Sequence, residues 1–240
     1  MASFHCPNLV IFAEAEVNYN DARFLGIIVL MKSQYPYAYN EIDRTKIQAA
    51  VQRQTGVVLP LDHIYRYLCD YVVVTGSHQI TNKILSKSAL EIEEHHLVIL
   101  PLTPGYGSTE VAIDPTIPIF EIQSTAPQIT KNYQALKIVV TGVPPVFWNQ
   151  PHLVGKIFRN ICEVCEVRTR HSDLAFGMLT YARPSTIPTQ TEVGIRRIVS
   201  SGVCLLNIWP IWIHVEPAPP GDLQRLQANG NCSYNKTLLR

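Results

Sequence analysis

The chain has 240 residues, of which 47% are hydrophobic and 16% charged, and its formal net charge at pH 7 is +1. So apolar a composition excludes intrinsic disorder, and the near-neutral charge supplies little of the phosphate neutralisation on which nucleic-acid binding depends. No apolar run approaches the roughly 20 residues that a membrane-spanning helix needs. The N-terminal segment lacks the basic region of a secretory signal and carries Glu14 and Glu16, so a cytoplasmic protein is expected.

Residues 1–102 are predicted to form a first α+β module with an N-terminal extension, in which 9–17 can add an edge strand to one of the sheets. The predicted elements of this module are a strand at 24–31, a helix that Asp43 caps and Gly56 ends, strands at 64–68 and 71–75, a short helix that begins at Ser77, and a strand at 97–102. Their order, βαββαβ, is that of the ferredoxin-like fold, which is also the fold of the RNA-recognition motif (RRM).

A proline-rich linker with few charges is predicted at 103–134, with one extended piece at 117–123. The residues beyond 216 include Pro219-Pro220-Gly221, and 217–240 are therefore predicted to be a flexible tail. A second RRM-like module should occupy 135–216, between the linker and the tail.

The second module repeats the order of the first, with one weak point. An apolar strand ends at Gly142, and Asn149 is predicted to cap the helix that follows. The expected second helix, at 189–201, is poorly supported because it contains Val193 and Gly194. A strand or a loop can replace it. The predicted fold class is therefore α+β with two tandem ferredoxin-like modules, the second lacking a regular second helix.

Four short motifs of the second half carry a resemblance to a known family. They are GVPPVFW at 142–148, RHSDLAFGML at 170–179, Ile187-Pro188, and WPIWIH at 209–214. Together they resemble a grass-specific family related to the N-terminal, zinc-knuckle-associated domain of plant retrotransposon proteins, and the resemblance covers 24–216. It implies an RRM-like fold without catalytic activity. Some members of that family belong to selfish hybrid-sterility loci in which an antidote neutralises a toxin, and the resemblance implies such a role here.

RNA binding is one function that an RRM-like fold allows. The segment from Phe176 to Tyr181 fits the F-G-x-L-x-Y spacing of the strand on which an RRM stacks bases. Its second stacking position holds Met178, and the stacking position of the companion strand holds Val139, so at most one aromatic platform remains. The structural alternative is that Phe176 and Tyr181 fill the core.

Residues 151–200 are locally basic, with seven Lys and Arg against four acidic residues. Arg168, Arg170 and Arg183 are the candidates for phosphate contacts. Such a patch can bind RNA or an acidic protein, but it is most often a solvated face. RNA binding by a domesticated retrotransposon module is therefore the alternative function.

Catalysis finds no support in the sequence, which contains no G-x-S-x-G, Walker or dinucleotide-binding motif. Cys162 and Cys165 form a C-x-x-C at a helix-to-strand junction, where they should point to opposite faces, and no second pair lies at zinc-finger spacing. His95-His96 lacks the i, i+4 spacing of a zinc pair and is expected in a turn before the last strand of the first module. We expect no enzyme, metal or cofactor.

A protein-interaction module is the function that remains. In the strand at 207–214, Trp209 and Trp212 point to opposite faces, so one can lie in the core while the other is offered to a protein partner. Pro210 removes a backbone donor and favours an edge position. The loop with Tyr35, Tyr37 and Tyr39 is a second candidate surface. The partner is expected to be another protein, such as a cognate toxin or antidote, or RNA in the alternative, and not a membrane.

Overall fold

The computed structural model describes residues 9–17, 28–33, 42–114, 134–159, 161–170, 174–199 and 202–222. Over these residues the protein is a mixed α+β fold dominated by two sheets. The regular elements are β1 (Leu9–Ala13), β2 (Ile28–Ser33), α1 (Arg44–Thr55), β3 (Ile64–Tyr67), β4 (Asp70–Val74), α2 (His78–Leu85), β5 (Ala89–Ile92), β6 (His95–Pro101), β7 (Thr109–Ile113), β8 (Gln134–Thr141), α3 (Pro151–Ile157), β9 (Glu163–Arg170), β10 (Ala175–Ala182), β11 (Gln190–Ile198) and β12 (Cys204–Pro217). None of the described helices is long and apolar enough to cross a membrane.

The chain divides into two compact units. The N-terminal unit comprises 18–107 and 170–174, and the C-terminal unit comprises 1–17, 108–169 and 175–240. The segment at 9–17, which the sequence left free to join either sheet, contributes β1 to the sheet of the C-terminal unit. The strand β7 lies within the predicted linker, whereas the extended piece predicted at 117–123 falls outside the described residues.

The sheet of the N-terminal unit has the strand order β3-β4-β2-β6-β5, with antiparallel neighbours. The helices α1 and α2 contribute to a single apolar core with one face of this sheet. Both helices begin as predicted: Asp43 accepts a hydrogen bond from the backbone N–H of Lys46 at 2.8 Å, and Ser77 accepts one from Ile80 at 3.3 Å. Gly56 ends α1 in the left-handed conformation, with φ of 69°.

The end of the N-terminal unit is a hairpin, β5–β6, where the sequence predicted a single strand. His95 and His96 lie inside β6 and pair with Ile92 and Glu91 of β5. The prediction of a turn at these histidines is therefore wrong by two residues. The turn lies instead at Glu93, whose φ of 54° is left-handed.

The sheet of the C-terminal unit has the order β1-β11-β12-β8-β10-β9, and β7 pairs with β12 as well. The strand β11 occupies the place of the weakly predicted second helix, which confirms that a regular helix is absent at 190–198. One face of the sheet packs against α3 and the 3-10 helix Pro145–Phe147 before it. There, the rings of Phe12 and Phe147 meet edge to face with centroids 5.1 Å apart.

The first turn of α3 differs from the prediction. Asn149 was expected to cap this helix, but the capping position is one residue later, at Gln150, which makes no side-chain cap, and the helix begins at Pro151. Proline suits the first helical position because its ring fixes φ and no intrahelical partner exists there for a backbone N–H. The proline therefore sets the start of α3 without a capping side chain.

The prediction that Pro210 lies at a sheet edge is wrong, because β12 has neighbours on both sides. Ile213 donates its backbone N–H to Thr189 on the β11 side, so the alternation of a strand directs the backbone of Pro210 to the opposite side. On that side β7 pairs with 204–208 and β8 with 212–217. The proline is tolerated because its missing N–H falls in the gap between them.

Candidate interaction surface

The two tryptophans of β12 lie on opposite faces of the sheet and differ in exposure. Trp209 is 1% exposed and lies on the core face with Ile211 and Ile213. Trp212 is 44% exposed on the other face. The sequence predicted that the two rings take opposite faces, and burial in the tertiary structure identifies Trp212 as the one that a partner can reach.

The ring of Trp212 is held against the sheet by its neighbours. Residues paired across adjacent strands share a face, and Trp212 pairs with Gln190 of β11 and Thr141 of β8. A Cβ built on the adjacent Gly142 would lie 2.8 Å from Cζ3 of the Trp212 ring. The indole therefore rests directly on the backbone of Gly142, and this contact limits the conformations of an otherwise exposed side chain. We call Trp212, Gln190, Thr141, Pro210 and His214 the Trp212 surface.

A polar group that includes His214 forms one border of the Trp212 surface, where β12 pairs with β8. His214 has a side chain that is 72% exposed, and its Nε2 lies 3.5 Å from Oε1 of Glu216. The other oxygen of Glu216 accepts a hydrogen bond from Nζ of Lys137 at 2.8 Å. Since this carboxylate already pairs with lysine, the border adds little net charge, and the surface is mainly an aromatic ring with polar neighbours.

The aromatic residues proposed to stack RNA bases are not open to solvent. Phe176 pairs with Val140, is 0% exposed, and shares the core face with Met178. Tyr181 lies on the opposite face but is only 5% exposed. In this arrangement both rings fill space within the C-terminal unit, as in the structural alternative that the sequence offered.

The chain that follows β12 covers part of the sheet face opposite α3. Ala218 packs against Leu179 of β10, and its backbone N–H donates to the carbonyl of Ala135 on β8 at 3.4 Å. Asp222 then reaches to 3.8 Å from Nη1 of Arg168 on β9. The start of the predicted tail is thus packed against the face of the sheet that lies opposite α3.

Three of the seven cations in the locally basic stretch at 151–200 lie near carboxylates. Arg168 donates from Nε to Glu166 at 2.6 Å. Two further cations lie near the acidic residues that follow β1: Lys156 is 3.8 Å from Glu16 and Arg197 is 3.7 Å from Glu14. Because these partners are distant in sequence, counting charges within 151–200 could not reveal them. Of the remaining candidates, Arg183 is exposed, and the side chain of Arg170 lies outside the described part of the chain.

The second predicted surface, the loop with Tyr35, Tyr37 and Tyr39, lies outside the described residues. Another tyrosine cluster, which sequence reasoning missed, lies within the N-terminal unit. Tyr106, in the loop after β6, donates a hydrogen bond to the buried carboxylate of Asp70, and its ring centroid is 6.0 Å from that of Tyr67. Burial raises the pKa of Tyr67 far above its ordinary value, with Tyr106 adding to the effect. This cluster fixes the loop to the sheet.

The cysteines of the C-x-x-C are packed separately. Cys162 is 1% exposed and donates to the carbonyl of Phe158, whereas Cys165 packs partly buried beside Leu179 and Ala218. Burial raises the pKa of the Cys162 thiol to about 12. A thiol held protonated is a poor metal ligand and a poor nucleophile. Within the described residues, no group of three or more His, Cys, Asp or Glu side chains could hold a metal ion.

No protein-family model, curated protein or solved structure matches the chain. The Trp212 surface is therefore assigned from its geometry: an exposed tryptophan, supported from below by a glycine and surrounded by the side chains of three adjacent strands.

Proposed function

We propose that the protein is a non-enzymatic protein-interaction module and that the Trp212 surface contacts its partner. The observation that carries the proposal is the 44% exposure of Trp212 in a position that Gly142 supports. Tryptophan is strongly enriched among the residues that dominate binding energy, and a ring that is already ordered loses less conformational entropy on binding. Trp212 would thus act as the anchor of the interface.

We further propose that each unit is a ferredoxin-like module. The strand order β3-β4-β2-β6 of the N-terminal unit and the order β9-β10-β8-β12 of the C-terminal unit both follow the 2-3-1-4 arrangement of a split βαβ fold. In the second module β11 takes the place of a helix. An RRM-like scaffold whose base-stacking positions hold core residues is well suited to bind protein through other parts of its sheet.

RNA binding, the alternative, has less support. The two candidate stacking residues, Phe176 and Tyr181, are 0% and 5% exposed, and each lost stacking contact removes roughly 1–3 kcal/mol of affinity. Three of the basic side chains near the sheet have carboxylates within 3.8 Å. Both the stacking and the phosphate contacts that an RRM needs are thereby weakened.

The resemblance to the grass-specific family gives the proposed interaction a biological setting. In this proposal the chain is one component of a toxin–antidote pair, acts in the cytoplasm, and recognises its companion protein through the Trp212 surface. Such a role requires specific protein recognition and no catalytic site. The Trp212 surface supports the recognition. Identification of the partner would show whether the chain is the toxin or the antidote.

Affinity purification with a single-residue change tests the proposal. The full tagged chain, expressed in plant cells, is compared with Trp212→Ala by quantitative mass spectrometry in high salt, with and without RNase treatment. We expect at least tenfold loss of a specific protein partner from Trp212→Ala, because apolar contacts persist when charges are screened. Val58→Ala, which alters a side chain that is 68% exposed in the other unit, is the matched control and should retain the partner.

Equal capture by wild type and Trp212→Ala would overturn the assignment of the surface, provided that both melt at the same temperature. Capture that disappears on RNase treatment would instead favour the RNA alternative. Because both arms use the same samples, the two functions are separated in a single experiment.

A further inference from the structure

The strand β11 carries two charged residues of opposite sign, placed symmetrically about a glycine. Glu192, Gly194 and Arg196 lie at alternate positions and therefore share one face of the strand. It is the face of the Trp212 surface, since Gln190 pairs with Trp212 and Glu192 with Pro210. Glu192 and Arg196 are each partly exposed, and neither forms an ion pair with any of the described residues.

The surroundings of these two charges are apolar. Gly194 is paired with Ile11 of β1 on one side and with Ile208 of β12 on the other. A Cβ on Gly194 would lie 2.9 Å from Cδ1 of Leu206 and 3.4 Å from Cγ1 of Ile11, so these aliphatic side chains close over the glycine. Further partly exposed apolar residues on this face belong to β1, β7 and β12: Leu9, Ala13, Val111, Ile208 and Pro210.

No described helix of the C-terminal unit packs on this side. The helix α3 and the 3-10 helix before it lie on the opposite face, with Phe147 against Phe12. Phe12 pairs with Ile195, whose neighbours Gly194 and Arg196 point the other way. The face is thus a continuous apolar area with a carboxylate and a guanidinium set two residues on either side of its centre.

We propose that this face binds a second copy of the chain, forming a two-fold symmetric dimer with the β11 strands face to face and antiparallel. A two-fold axis that lies midway between the two sheets, at the level of Gly194, places Glu192 of each copy opposite Arg196 of the other, so that two ion pairs form. Sheets that pack face to face lie about 10 Å apart, a separation that a glutamate and an arginine can bridge together. The inference rests on the proposed function, because it names a second copy as the protein partner.

Self-complementarity is what favours a second copy over other occupants. A partner surface of one sign would leave either Glu192 or Arg196 opposed by a like charge, which is destabilising in an apolar setting. A parallel arrangement of the two β11 strands would likewise oppose Glu192 to Glu192. Of the two arrangements of identical faces, the antiparallel one satisfies both charges while burying the aliphatic residues between them.

Charge reversal tests the dimer, with the mass in solution measured by analytical ultracentrifugation over about 1–100 µM full-length protein. We expect wild type to dimerise, whereas Glu192→Arg alone and Arg196→Glu alone should each weaken the dimer at least tenfold. Mixing these two variants should restore association, because one surface then carries two cations and the other two carboxylates. The double variant E192R/R196E should also dimerise, since it exchanges the two charges. Arg159→Glu, a charge reversal at an exposed position two residues after α3, is the matched control and should dimerise like wild type.

The rescue arms keep the test valid if a single variant is unstable, because a misfolded chain would not regain association on mixing. A wild type that stays monomeric throughout this range would overturn the dimer, and so would a dimer that charge reversal does not weaken. In either case the proposed function would still be supported if Trp212→Ala lost a protein partner other than the chain itself in the affinity purification. Conversely, a charge-dependent dimer together with unchanged capture by Trp212→Ala would support the dimer and remove the Trp212 surface as a contact.

Discussion

The indole ring of Trp212 rests on Gly142, at the point where β8 ends and the turn toward α3 begins. A Cβ at Gly142 would lie 2.8 and 2.9 Å from two carbon atoms of that ring and 2.6 Å from the carbonyl oxygen of Pro210. The φ of Gly142 is +80°, which residues with a side chain rarely adopt. One glycine therefore forms the turn, lets β12 approach, and positions the exposed tryptophan.

Gly142→Ala should destabilise the protein by more than its backbone conformation alone requires. The left-handed conformation costs alanine roughly 1–2 kcal/mol, and displacement of Trp212 and Pro210 adds to that cost. The matched control is Gly202→Ala, because Gly202 has a φ of +73° but no atom within 4 Å of a built Cβ. We expect urea denaturation to give a loss for Gly142→Ala about twice that for Gly202→Ala. Equal losses would contradict the close contact.

The hydrogen bond from Tyr106 to Asp70 should stabilise the N-terminal unit. Asp70 is 5% exposed, so Tyr106→Phe removes a hydrogen bond from a buried carboxylate while leaving the ring beside Tyr67. We expect the free energy of unfolding to fall by about 1–3 kcal/mol. The measurement is a double-mutant cycle with Asp70→Asn in urea. Strictly additive effects of the two substitutions would show that the residues are not coupled.

Cys162 should make the protein less stable at alkaline pH. Burial raises the pKa of this thiol from 9.0 to about 12, so the unfolded chain loses the proton first as pH rises. The stabilisation is therefore complete below about pH 9 and declines by about 1 kcal/mol per pH unit toward pH 12. Urea denaturation of wild type and Cys162→Ala at pH 8.5 and 10.5 measures this contribution. An identical pH dependence of the two proteins would refute the buried, protonated thiol.

Local signals in the sequence were sufficient for elements that depend on their own residues. The caps at Asp43 and Ser77 and the stop at Gly56 lie where they were predicted, because each acts on a backbone group within four residues. The opposite orientation of Trp209 and Trp212 follows in the same way from the two-residue period of a strand. These features would be expected in any fold that keeps the same helices and strands.

Pairing between distant residues could not be predicted in this way. Nothing local indicates that β1 joins β11, that Glu14 and Glu16 lie near Arg197 and Lys156, or that Pro210 falls in a gap between two strands. Each depends on the sheet order, which is set by the burial of apolar faces over the whole unit. A count of charges within 151–200 therefore could not show that Lys156 and Arg197 lie near Glu16 and Glu14.

Composition and local periodicity are enough to predict that the chain folds with a substantial core, where α1 and α2 begin, and that one tryptophan of β12 faces away from the other. They do not predict that Trp212 is the exposed ring, that Phe176 and Tyr181 are buried, or that Glu192 and Arg196 share an apolar face. Exposure depends on which elements pack against a residue, and those elements are distant in the chain.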